Sequence, residues 1–201
     1  NNGATHIGFV FHKPSKRYID PKAAARIIKN LRSVSNGYIK YVGLFVNKSI
    51  ENITYTADLC NLDIIQLCGE EKPSFCDALT LPVFKVIHVQ PTHKLEDIEQ
   101  MIDIYLNHVN KIILDKGMVG LRGGTGETFD WNIAEQLSSK GHDFMLAGGL
   151  NITNIRQAIR TINPSAVDIS SGVETDGRKD PDKIKDLISR LIIKIRLPFK
   201  H

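Results

Sequence analysis

The segment IILDKGMVGLRGGTGETFDW, residues 112–131, opens as a short apolar run, Ile112-Ile113-Leu114, with the length and composition of a buried strand. The run ends on a carboxylate, Asp115. Gly117, Gly120, Gly123, Gly124 and Gly126 follow closely, so this backbone can take positive φ or approach a ligand closely. Asp130 reads as the N-cap of a helix beginning at Trp131. Strand, acid, glycine loop and helix make one βα unit. An acid at a strand tip under a glycine loop suits proton transfer beneath a closing lid. The same residues also read as a solvated acid in a loose connection, and both readings stay open on this stretch alone.

Outward from this unit the pattern repeats. Short apolar or β-branched runs fall at His6–Phe11, Tyr41–Val46, Asp63–Leu67, Val83–Val89, Lys111–Leu114, Phe144–Ala147 and Ala166–Ile169. Amphipathic helical segments lie between them. Ile98, Met101, Ile102, Tyr105 and Leu106 form one stripe; Ile184, Leu187, Ile188, Leu191, Ile192 and Ile195 form another. Pro21, Pro73 and Pro181 stand where helices start. Alternating strands and helices predict an α/β fold with a parallel sheet, and no linker interrupts it, so residues 1–201 read as one domain.

An open doubly wound sheet and a closed (β/α)8 barrel both satisfy that pattern. A dinucleotide-binding sheet would place its glycines after the first strand. Here Phe11 is followed by His12-Lys13-Pro14-Ser15-Lys16-Arg17, and the glycine-rich turns follow the last three strands instead. That distribution favours a TIM barrel. Barrels of this kind bind phosphate with the loops after their last two strands. The corresponding turns are Ala147-Gly148-Gly149-Leu150-Asn151 and Ser170-Ser171-Gly172-Val173-Glu174. Small residues there let backbone N–H groups point at phosphate oxygens, with a helix N-terminus adding a favourable field.

Composition narrows the class. With 26 basic and 22 acidic side chains the net charge is only +4, and a balance that even calls for neither nucleic acid nor a membrane surface. The three cysteines have no paired spacing, which suits a reducing, cytoplasmic setting. Cys60 and Cys76 fall in helical segments and read as core thiols. The histidines are scattered without metal-ligand spacing, so no metal site is expected. Trp131 reads as packing for the base of the glycine loop.

Taken in order, GFVFHKPSKRYI (8–19), GLFVN (43–47), LDIIQLCGEE (62–71), IILD with GGTGETFDW (112–131), LAGGLN (146–151) and AVDISSGVE (166–174) resemble the phosphoribosylanthranilate isomerase family of tryptophan biosynthesis. The resemblance runs from Gly3 to about Leu191. It implies a cofactor-free Amadori rearrangement of N-(5′-phosphoribosyl)anthranilate in a monomer or homodimer. It also implies Asp115 as general acid, Arg17 as the partner of the anthranilate carboxylate, and Asp168 beside the substrate at the barrel mouth. Phosphate contacts would fall on Gly148, Gly149, Ser171 and Gly172, with Gly123, Gly124 and Gly126 in the lid loop. Another sugar-phosphate barrel enzyme would share the phosphate turns but not GGTGETFDW with Asp115; an inactive homologue would keep both turns without turnover.

The chain departs from the family in two places. Cys68 stands in Gln66-Leu67-Cys68-Gly69 where the family usually has histidine. The family's general base is a cysteine ending the first barrel strand, and the runs above resemble strands two to eight. The first βα unit, carrying that cysteine, is therefore expected before Asn1. Residues 1–201 alone are expected to turn over almost no substrate.

Overall fold

Every expected run forms a strand, with ends that shift by one or two residues. The computed structural model describes residues 3–34, 37–116 and 131–192. Strands β1 (His6–Val10), β2 (Lys40–Phe45), β3 (Ile64–Leu67), β4 (Val83–Val89), β5 (Lys111–Lys116), β6 (Met145–Leu146) and β7 (Ala166–Val167) belong to one seven-stranded sheet, in chain order. The pairs with a described register are parallel. After them come helices α1 (Pro21–Val34), α2 (Ile50–Cys60), α3 (Pro73–Asp77), α4 (Leu95–Tyr105), α5 (Trp131–Ser139), α6 (Ile155–Ile162) and α7 (Pro181–Ile192). A short antiparallel hairpin, β8 (Glu174–Thr175) and β9 (Arg178–Lys179), stands between β7 and α7.

Local chemistry explains the boundaries. Pro21, Pro73 and Pro181 each occupy the first residue of a helix, where the missing N–H removes no helical bond. Ser49 caps α2, its side chain accepting from Asn52 N at 3.4 Å. Asn61 and Asn163 end α2 and α6 with φ near +50°, a conformation asparagine tolerates. The expected stripe on α4 is shorter than the sequence suggested. Ile98 and Ile102 are buried, but Leu106 lies past the helix end and is 59% exposed. On α7, Leu187 and Ile188 are buried, whereas Ile195 lies outside the described residues.

By its contacts the chain groups into two compact units. The first comprises residues 3–87 with 101–112. Its core joins Phe9, Phe11, Ile28, Tyr41, Phe45, Ile53 and Leu67; the Phe11 and Phe45 rings stack at 5.3 Å. Arg32 lies 4.5 Å from the centre of the Tyr41 ring and donates to Asp63 Oδ2 at 2.8 Å. Both expected core thiols are buried here: Cys60 donates to Pro21 O and Cys76 to Lys72 O. Burial pushes both thiols up from their ordinary value. The second unit comprises residues 88–100 with the chain from 113 onward. It buries Leu114, Ala134, Leu137, Phe144, Leu146, Ile155, Ala158 and Ile162. Among the described residues no helix is long and apolar enough to cross a membrane.

Candidate active site

Strand register places the acids of the second unit. Leu114 pairs with Leu146, and Leu146 pairs with Val167. One residue further on, Ala147 N donates to Leu114 O and Asp168 N to Leu146 O, both at 2.8 Å. Asp115, Ala147 and Asp168 therefore follow three aligned positions and project from the same face of the sheet. Two strand spacings put the backbones of Asp115 and Asp168 about 10 Å apart. Ala147 occupies the strand position between them. Asp115 is not the last residue of its strand, as the sequence suggested; β5 continues through Lys116.

Burial pushes the Asp115 carboxyl up from its ordinary value of 3.8. His88 on β4 opposes that shift, the like charge of Asp168 adds to it, and the backbone N–H of Lys116 opposes it. An acid that keeps its proton above the usual range is equipped to give one up. His88 had no signal in the sequence beyond its place at the end of an apolar run.

Beside this acid the backbone is tightly drawn. Gly148 has φ +82°, and a Cβ there would come within 2.6 Å of Lys116 N and 2.8 Å of Asp115 Oδ1. Only glycine lets the turn lie against the carboxylate. The next peptide is fixed by two side-chain amides: Asn151 Nδ2 and Asn154 Nδ2 donate to Gly149 O at 3.1 and 3.0 Å. Asn154 Oδ1 in turn accepts from Asn151 N at 2.9 Å. The turn after β7 lies directly alongside. Asn151 and Gly172 form a parallel bridge, and a Cβ at Gly172 would run into Leu150 O. Gly148, Gly149, Ser171 and Gly172 are thus brought into two adjoining turns, immediately before the N-terminus of α6.

Arg17 and Cys68 belong to the first unit. Tyr18 bridges to Val10, which folds residues 11–17 into a closed loop; Arg17 is half-buried in it, its N–H donating to Ser15 Oγ at 3.1 Å. Cys68 follows β3, and its sulfur accepts from Gln66 Nε2 at 3.6 Å. The expected lid glycines, Gly123, Gly124 and Gly126, and the expected N-cap Asp130 lie outside the described residues. Helix α5 begins at Trp131, as expected. Sequence reasoning missed a buried ion pair, Lys85 Nζ to Glu71 Oε2 at 3.0 Å, with side chains 3% and 2% exposed. Glu71 also accepts from Asn47 N and Gly69 N, and its carbonyl accepts from Tyr105 Oη at 2.6 Å. A lysine inside the apolar run Val83–Val89, with two glutamates just after β3, was the available signal.

A parallel α/β fold with carboxylates at the C-terminal ends of its strands and glycine turns beside them defines an α/β enzyme of the strand-end-site class. The family model for N-(5'phosphoribosyl)anthranilate (PRA) isomerase matches residues 1–190. The isomerase of Citrifermentans bemidjiense is 42% identical over 188 residues, 93% of this chain and 86% of the relative. That of Geobacter metallireducens is 41% identical over 189 residues, 94% of this chain and 88% of the relative. The solved isomerase of Thermotoga maritima superposes with a TM-score of 0.81 at 37% identity, covering 94% of this chain and 88% of the other. A solved family member in complex with reduced 1-(o-carboxyphenylamino)-1-deoxyribulose 5-phosphate gives 0.77 at 35% identity, with coverage of 94% and 88%. The chain belongs to the phosphoribosylanthranilate isomerase family. It is an isomerase of tryptophan biosynthesis.

Proposed function

We propose that the chain converts N-(5′-phosphoribosyl)anthranilate to 1-(2-carboxyphenylamino)-1-deoxyribulose 5-phosphate with Asp115 as the general acid. The observation that carries this reading is the raised, half-buried carboxyl of Asp115, set against the Gly148 turn and next to a second acid. Asp115 gives its proton to the furanose ring oxygen. The C1′–O bond breaks as the anthranilate nitrogen supplies its lone pair, and a Schiff base forms. A base then removes the C2′ proton, and the resulting enolamine tautomerises to the ketone. Arg17 receives the anthranilate carboxylate, where a planar guanidinium offers two parallel donors. Gly148, Gly149, Ser171 and Gly172 grip the phosphate through backbone N–H groups, helped by the N-terminus of α6. Asp168 lies beside the sugar, and Gly123, Gly124 and Gly126 serve the lid.

The fold we propose for the whole protein is a single-domain (β/α)8 barrel in which the seven strands are the second to the eighth. No cofactor takes part, the substrate is a small phosphorylated molecule, and the protein works in the cytoplasm as a monomer or homodimer. A dimeric Thermotoga maritima relative supports the second form.

Asp115→Asn in the full-length protein tests the assignment. Turnover is expected to fall about 10²- to 10⁴-fold, the usual contribution of a positioned general acid, with the Michaelis constant little changed. Near wild-type turnover in Asp115→Asn would remove Asp115 from the role.

A further inference from the structure

The turn that carries Ser171 and Gly172 is held by a lysine that the reaction scheme does not use. Lys179 lies on β9, eight residues beyond Ser171. Its ammonium donates to Ser170 O at 2.8 Å, to Ser170 Oγ at 3.2 Å and to Glu174 Oε1 at 2.9 Å. Lys183 Nζ closes the same segment from α7, donating to Glu174 O at 2.8 Å. The hairpin that delivers Lys179 is built for the task. Asp176 and Gly177 take φ +50° and +75° at its tip, the two positive values a tight two-residue hairpin turn requires. Thr175 Oγ1 donates to Asp180 Oδ2 at 2.6 Å, and Asp180 Oδ1 accepts from Asp182 N and Lys183 N at the start of α7. The hairpin is anchored at both ends.

Charge gives this clasp its direction. The Glu174 side chain is only 7% exposed, so a carboxylate is held out of water three residues from Ser171. Its negative charge works against a phosphate in the neighbouring turn and is costly to bury. Lys179 pairs with that charge and, by the same ammonium, fixes the carbonyl and hydroxyl of Ser170.

We propose that Lys179 is a positioning residue for phosphate recognition: it neutralises Glu174 and locks the Ser170–Gly172 turn in its binding shape. The inference rests on the phosphate reading of that turn. In the full-length protein, Lys179→Met is expected to raise the Michaelis constant about ten-fold, the effect of losing one charge-assisted contact, with kcat changed far less. The inhibition constant of inorganic phosphate is expected to rise in parallel. Lys179→Met combined with Glu174→Gln is expected to recover much of the phosphate affinity, because the negative charge that Lys179 offsets is gone. Arg178→Gln, on the same exposed hairpin, serves as the control and should leave both constants unchanged. A purely structural lysine would lower the melting temperature in Lys179→Met without moving the phosphate constant, and that result overturns the proposal. So would a loss confined to kcat. If inorganic phosphate does not inhibit the wild-type enzyme at all, the phosphate reading of the turns fails instead.

Discussion

At the scale of single residues, the proposed chemistry concentrates on Asp115, and its burial has a consequence for stability as well as for turnover. Its carboxyl holds a proton more tightly in the folded chain than at the ordinary value of 3.8 that the unfolded chain shows. A raised carboxyl stabilises the fold fully below that unfolded value, and the contribution is lost as pH rises through the folded one. Above that folded value the wild-type chain carries an ionised, poorly hydrated acid that Asp115→Asn lacks. Above that value the variant is expected to melt a few degrees higher than wild type, with the two curves converging as pH falls toward 3.8. Thermal unfolding across pH reads this directly; a variant less stable than wild type above the folded value would contradict it. In the wild type, kcat is expected to decline with rising pH through the same folded value, since the proton must be present to be given. Asp115 itself was legible because an acid closing an apolar run stands out. His88 and Lys179 were not, because each acts on a partner brought close only by the fold.

Among elements, two glycines of the second unit separate conformation from contact. Gly177 has φ +75° with nothing near a potential Cβ, so Gly177→Ala is expected to cost only the backbone preference, about 1 kcal/mol. Gly172 faces Leu150 O and the Asn151 backbone, so Gly172→Ala must push two strand-end turns apart. Its expected cost is above about 3 kcal/mol, with weakened phosphate inhibition alongside. Denaturant unfolding of the two variants ranks them; equal costs would mean the turns are not packed as described. Strands and turns were readable from sequence because apolar runs and glycines repeat on a regular spacing. The exact strand ends were not: β6 and β7 each reduce to two residues where four were expected, although Ala147 N and Asp168 N still donate to the neighbouring strand one residue further on. The β8–β9 hairpin escaped notice because four strand residues around Asp176-Gly177 carry no alternating apolar pattern.

For the molecule as a whole, the buried Lys85–Glu71 pair sets a stability threshold for the first unit. With side chains 3% and 2% exposed, neither charge can be removed alone without stranding the other. Lys85→Met is expected to destabilise the protein by about 3–5 kcal/mol, and adding Glu71→Gln should recover part of it. Chemical denaturation of the single and double variants decides the point, and additive losses would show that the pair is not coupled. The alternation of strand and helix made the α/β class evident from the sequence, since each run of Val, Ile, Leu and Phe is bounded by a helical stripe. This pair was hidden by the same logic, because a lysine in an apolar strand looks like an interruption until its partner is known. The sheet has a further property, which concerns time rather than energy. Its strands lie in the order in which the chain is written. From β2 onward, a strand leaving the ribosome meets a neighbour that has already been made, and none must wait for a distant later segment. Synthesis at about 5–20 residues per second delivers each new strand within a few seconds of the last. The nascent protein can therefore be assembled by accretion, one strand and one helix at a time.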